Sequence, residues 1–192
     1  GMVEARKANF FSHGMTENTH YIASTGIGGV PQDTNSILVL DTYAIKGIAN
    51  NQQQYLYAPT HLNPTSEYGV TFERGTVVEF GDRKHLYISG TASINNKGEV
   101  VHVGDIIKQT RRMWENVETL LAEGGAGFDD VMQIIVYLRD GADYDTVKKM
   151  FEEKFPETPF VITLAPVCRP QWLIEMECMA ITPNDTREYR DF

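Results

Sequence analysis

Apolar residues recur at every second position in several short stretches and at every third or fourth in two longer ones. Strands and helices can therefore be read from period alone. Alternation rich in β-branched and aromatic residues predicts strands over residues 20–24, 36–45, 54–57, 76–80, 85–89 and 99–102. Gly81-Asp82-Arg83-Lys84 joins two of them as a hairpin, and Asn95-Asn96-Lys97-Gly98 makes a second tight turn. Helical period then takes over. Ile106, Thr110, Met113, Trp114, Val117, Leu120 and Leu121 share one face, with Asp105 as N-cap and Gly124-Gly125 as the stop. Residues 131–138 read as a central strand, apolar on both faces in places. A second helix starts from Asp143, turns Tyr144, Val147, Met150, Phe151 and Phe155 inward, and ends at Pro156 and Pro159. The last strand covers residues 171–181, and a polar tail follows it.

From residue 68 onward the order is β-β-(β)-α-β-α-β. That order fits an α+β fold, a mixed sheet with two helices packed on one face, preceded here by an N-terminal β extension. The chain divides into an N-terminal arm (1–19), a β-rich extension (20–67), the main domain (68–182) and a C-terminal tail (183–192). Within the extension, Ile37-Leu38-Val39-Leu40-Asp41-Thr42-Tyr43-Ala44-Ile45 reads like Leu173-Ile174-Glu175-Met176-Glu177-Cys178-Met179-Ala180-Ile181. As a repeat, the first segment is the remnant of a preceding copy, and residues 20–48 should pair as residues 161–181 do. Chance likeness of two amphipathic strands is the other reading.

The length, 192 residues, suits one domain with an extension. With 17 Lys+Arg against 26 Asp+Glu, the formal charge is -9. This disfavours nucleic acid as a partner, since phosphate binding draws on clustered cations. The same charge gives no support to ribonuclease activity. Cys168 and Cys178 have no Cys-x-x-Cys spacing, and no apolar stretch reaches the roughly 18–20 residues of a membrane span. The first residues lack the apolar core of a secretory signal, so a cytoplasmic protein without a membrane partner is expected. The histidines at 13, 20, 61, 85 and 102 show no metal spacing, and neither a metal nor a cofactor is predicted.

The candidate chemistry is carboxylate chemistry. In the last strand Glu175 and Glu177 share a face opposite Ile174 and Met176. Paired carboxylates hemmed by apolar residues raise the pKa of at least one, which suits a general acid or base; two glutamates on a solvent-facing strand edge are the plain alternative. Arg169, beside Pro170, has the planar fork that grips a carboxylate, though it reads equally as a surface turn residue. Ser89-Gly90-Thr91 ends a strand, and the missing side chain at Gly90 lets a ligand approach backbone N–H groups. By itself a Ser-Gly pair is usually a turn. Cys168 lacks a histidine and an acid at recognisable spacing and reads as a small buried residue.

Residues 68–182 resemble the Rid (YjgF, translation initiation inhibitor) family. The likeness runs through Gly75-Thr76-Val77-Val78, Leu86-Tyr87-Ile88-Ser89-Gly90, Leu121-Ala122-Glu123-Gly124-Gly125-Ala126, Val136-Tyr137-Leu138-Arg139-Asp140 and Leu173–Ile181. It implies a chorismate-mutase-like fold and a homotrimer with ligand clefts between subunits. A narrower likeness is to the C-terminal part of chorismatase-type enzymes, which hydrolyse the enolpyruvyl ether of chorismate. It rests on His20-Tyr21-Ile22-Ala23-Ser24-Thr25-Gly26-Ile27, Ile88-Ser89-Gly90-Thr91-Ala92-Ser93-Ile94 and Val167-Cys168-Arg169-Pro170 with Trp172-Leu173-Ile174-Glu175. The resemblance puts the catalytic glutamate at Glu175, where it positions water in imine hydrolysis or protonates the enolpyruvyl methylene. It puts Tyr68, Ser89 and Gly90 in the cleft, and Thr91 where many members carry Gln. Arg74 is a further possible anion contact. The arginine that anchors substrate in the deaminating members is missing from residues 159–164, and Arg169 would have to replace it. The expected function is cofactor-independent hydrolysis or lysis of a small carboxylate. Enamine or imine deamination, and a trimeric metabolite-binding protein without catalysis, are the alternatives.

Overall fold

The computed structural model describes residues 1–192, the side chain of Tyr68 excepted. Six strands form one sheet: β1 (Gln53–Leu56), β2 (Gly75–Glu79), β3 (Arg83–Ala92), β4 (Val131–Leu138), β5 (Phe160–Leu164) and β6 (Ile174–Pro183), in the order β1-β2-β3-β6-β4-β5. Every pair is antiparallel except β4–β5, so the sheet is mixed. A parallel pair needs a long crossover. The helix α3 (Tyr144–Lys154) supplies it between β4 and β5, and α2 (Ile106–Glu123) carries the chain from β3 to β4. Strand β6 enters last and fills the gap between β3 and β4, pairing with both.

The helices form where the periodicity places them. Asp105 caps α2 by accepting the Lys108 N–H at 2.9 Å, and the buried stripe includes Met113, Val117, Leu120 and Leu121. At Gly124 the chain passes so close to Leu86 that a Cβ would overlap it, which is where the helix stops. On α3, Val147 and Phe151 are buried and Phe151 meets the rings of Trp114 and Phe160. Tyr144, expected inside, is 40% exposed instead, at the first position of α3. The core lies between the helices and one face of the sheet, through Leu86, Ile134, Val136, Leu138, Ile174 and Met176. Burial of each such side chain contributes roughly 1.5–3 kcal/mol.

Two buried amides on α2 tie the core to the connecting segments. Gln109 donates to the carbonyls of His102 and Gln171 and accepts the Leu173 N–H, while Asn116 donates to the carbonyls of Ala92 and Ile94. Both β3 and β6 are thereby fixed at the ends that carry the Ser-Gly and glutamate positions.

The N-terminal third departs from the expected strands. Residues 2–12 form a helix, α1 (Met2–Ser12), with no buried residue. Residues 20–24 make one parallel bridge, Ala23 to Glu73, and residues 99–102 make one antiparallel bridge, Val100 to Ile94. Residues 36–45 form no strand at all. Strand propensity measures fit to a pleated, half-buried surface, and within this fold no strand of the sheet lies alongside that segment. Pairing of residues 20–48 in the manner of residues 161–181 is therefore not found. Of the extension, only β1 joins the sheet. Among the described residues no helix is long and apolar enough to cross a membrane.

Candidate functional site

Alternation along β6 turns Ile174 and Met176 toward the helices and Glu175 and Glu177 toward the other face. The two carboxylates meet different surroundings there. Glu177 is half-buried and accepts the Tyr137 hydroxyl at 2.9 Å. Glu175 is only 4% exposed, and its Oε2 has no hydrogen-bond partner among the described residues. Burial, and after it the charge of Glu177, push the Glu175 carboxyl up to about 7, while Arg74 pulls in the other direction.

The closeness of Glu175 to β3 depends on Gly90. The β3–β6 register slips between Ile88 and Thr91, and a Cβ at Gly90 would overlap Glu175 Oε1. Only glycine lets the carboxyl lie against that stretch of backbone. Ser89 faces the segment before β2, its hydroxyl donating to the Glu73 carbonyl at 2.6 Å and accepting the Ser24 N–H at 2.9 Å. Thr91 is buried and donates to the Ser89 carbonyl, holding the slip in shape.

Arg74, just before β2, is the buried cation nearest this chemistry. Its Nη2 donates to the Asn63 carbonyl at 3.0 Å and to Asn63 Oδ1 at 3.2 Å, and its own carbonyl accepts the Ser89 N–H. Beside it opens a recess of about 120 Å³, whose lining includes His20, Tyr57, Leu62, Asn63 and Glu73. Glu73 Oε1 accepts the Tyr21 N–H and lies 3.6 Å from His20 Nδ1.

A strap formed by residues 21–28 roofs the carboxyl. The Gly90 N–H donates to Thr25 Oγ1 at 2.8 Å, the Gly28 N–H to the Pro166 carbonyl at 3.2 Å, and the Glu73 N–H to the Ile22 carbonyl at 2.9 Å. The Gly90 amide, expected to face a ligand, thus has a hydroxyl of the chain itself as its acceptor. On the far side, Arg139 holds the turn that leads into β6: Nε donates to the Trp172 carbonyl, and Nη2 to those of Val167 and Arg169.

The predicted site residues divide between two places. Glu175, Ser89, Gly90 and Thr91 come together. Arg169 sits across the turn, donating to the Gly98 carbonyl at 2.7 Å and stacking on Trp172. The backbone of Tyr68 closes a short 3-10 turn, Thr65–Tyr68, and its side chain lies outside the described residues. Cys168 is exposed rather than buried, with Sγ donating to the Gly26 carbonyl. Partial desolvation of the sulfur, then the charge of Glu175, raises its thiol above the ordinary range. Sequence reasoning missed Arg139, Glu73, Asn63 and Thr25. Their contacts join residues up to 65 positions apart, as between Thr25 and Gly90, and periodicity carries no signal of that. Among the described residues no cluster of His, Cys, Asp and Glu could hold a metal ion.

Known proteins share this arrangement of elements. The chain is 38% identical over 72 residues to the 3-aminoacrylate deaminase RutC of Acinetobacter baylyi, covering 38% of this chain and 57% of that one. It is 33% identical over 102 residues to a 3-hydroxybenzoate synthase of Streptomyces hygroscopicus, which is 48% of this chain and 30% of the synthase. The chain thus spans just over half of the first relative and under a third of the second. A solved chorismatase superposes on 91% of this chain and 55% of its own, with a TM-score of 0.65 and 21% identity, a likeness of fold that includes the N-terminal third. The Endoribonuclease L-PSP family matches residues 76–182, from β2 through β6. More than half the chain, including the strands that carry Gly90 and Glu175, therefore belongs to the Endoribonuclease L-PSP family of the Rid superfamily.

Proposed function

We propose that this chain hydrolyses a small unsaturated carboxylate without a cofactor, and that Glu175 delivers a proton to a carbon of the substrate's double bond. The observation that carries the reading is the Glu175 carboxyl: buried, raised to about 7, without a partner on Oε2 among the described residues and pressed against Gly90. Such a group is close to half protonated at neutral pH, where an acid able to give up and recover a proton works best. Arg74, buried on the same side, supports the reading as the cation that orients an anionic substrate.

For an enolpyruvyl ether the steps balance simply. The Glu175 proton goes to the terminal methylene, water adds to the oxygen-bearing carbon, and the hemiketal collapses to an alcohol and pyruvate. The water's second proton restores the acid. The likeness to 3-hydroxybenzoate synthase and to chorismatase supports this substrate class. A deaminase reading draws on the RutC relative. There the same proton goes to the β-carbon of an enamine, and water then displaces ammonia from the resulting iminium. Arg74 would take the place of the arginine missing from β5. Trimers with ligand clefts between subunits, working in the cytoplasm, complete the proposal.

Chorismate incubated with the purified protein should release pyruvate, and Glu175→Gln should lower that rate by at least about 100-fold, the usual weight of a general acid. If no pyruvate appears at high enzyme concentration, the enolpyruvyl reading is wrong. Coupling to a dehydratase that generates 2-aminoacrylate then tests the deaminase, through accelerated keto-acid formation. Inertness in both assays, with thermal stabilisation by small carboxylates, would leave a binding protein.

A further inference from the structure

Residues 36–45 are the least satisfied part of the chain. Ile37, Leu38, Val39 and Leu40 are 100%, 52%, 66% and 79% exposed in succession. Among the described residues, no backbone group from position 37 to 45 pairs with another backbone group. The composition is that of a strand, and its order of apolar residues follows Leu173–Ile181, the segment that forms β6 between two neighbours. Tyr43 leans on Tyr87 with ring centroids 5.9 Å apart, which holds one end against the chain's own sheet while the apolar run projects. Unpaired strand edges and contiguous apolar surface both call for a cover.

The same chain carries a matching vacancy. Strand β5 is bonded only to β4, and Val161 and Leu164, on its two opposite faces, are 53% and 64% exposed. The opposite edge is unsuited, since β1 is four residues long and begins with two glutamines, and the N–H groups just after it are taken by Glu123. The segment has Asp41 as its one charge, so two chains of charge -9 meet there with little added repulsion. We propose that residues 36–45 act as an intersubunit strand, added to the free edge of β5 in a second copy of this chain. Donor strand and acceptor edge lie on different surfaces, so each copy gives one strand and receives one. Reciprocal exchange, or a closed ring, satisfies both.

Hydrogen exchange tests this directly. Paired, every second amide of residues 37–45 should be protected at least 100-fold over free-chain rates, with protection rising with protein concentration. Leu164→Asp, at an exposed acceptor position, should abolish it without unfolding the chain. Chains carrying Val39→Cys mixed with chains carrying Val161→Cys, both in a Cys168→Ser background, should form a covalent heterodimer on oxidation. Free-chain exchange at every concentration would overturn the intersubunit strand. Protection that survives Leu164→Asp, with no cross-link, would overturn β5 as its seat.

Discussion

The Glu175 carboxyl gives up its hydration on folding and gains no hydrogen bond at Oε2 among the described residues, so its ionised form is costly in the native state. The stability consequence has a definite sign. Its pKa is about 7 when folded against 4.5 ordinarily, so between those values the native state holds a proton that the unfolded chain has released. Stability therefore falls as pH rises from about 4.5 to about 7, and the loss stays in force above that. A shift of this size corresponds to roughly 3 kcal/mol. Glu175→Gln should remove this slope and leave the variant more stable than the wild type at pH 8, by urea titration at pH 5 and pH 8. A wild-type curve flat across that interval would contradict the buried, under-bonded carboxyl. The same substitution should abolish turnover, so stability and activity are expected to move in opposite directions, as they do where strain serves a reaction.

At the scale of elements, the site is held by turns more than by strands. Arg139 gives three of the carbonyls between Val167 and Trp172 a charged donor, and Gln109 fixes the two ends of the next step, at Gln171 and Leu173. Arg139→Met should cost at least about 2 kcal/mol, the loss of one charge-assisted bond. It should also lower activity by letting the entry to β6 drift, and denaturant unfolding beside the pyruvate assay would show both. This level also marks what could be read in advance. The helices α2 and α3, β4 and the two faces of β6 follow from period, because packing against one core repeats at fixed spacing. Alternation put Glu175 and Glu177 on one face, and only the family resemblance singled out Glu175, because period carries no sign of which of the two is buried. The pairing of Gly90 with Thr25, and of Arg139 with the 167–172 turn, was not legible. Those contacts join segments that meet only after the sheet has closed. Residues 36–45 misled for a related reason: their composition is that of a strand, but a strand exists only beside a partner.

Across the whole molecule stability is uneven. The core between the helices and the sheet is continuous, whereas α1 buries nothing and is tethered by Arg6, which donates to Ser24 Oγ, Thr71 Oγ1 and the Thr71 carbonyl. Arg6→Ala should free residues 2–12 to exchange at near-random rates while lowering global stability by less than about 1 kcal/mol, as expected where few apolar contacts are lost. A large fall in melting temperature would mean that the first helix is integral to the fold. The acidic balance, with 26 carboxylate side chains against 17 cations, favours solubility over anion capture.

The folded chain has one accessible thiol, since Cys168 is exposed and Cys178 is buried. Its acidity is already depressed, in part by the neighbouring glutamate, so alkylating dyes should react sluggishly near neutrality and quicken in alkali. Any guest that neutralises that glutamate would speed the labelling, and any guest that covers the sulfur would slow it. The molecule thus carries its own occupancy gauge, readable by fluorescence without any turnover.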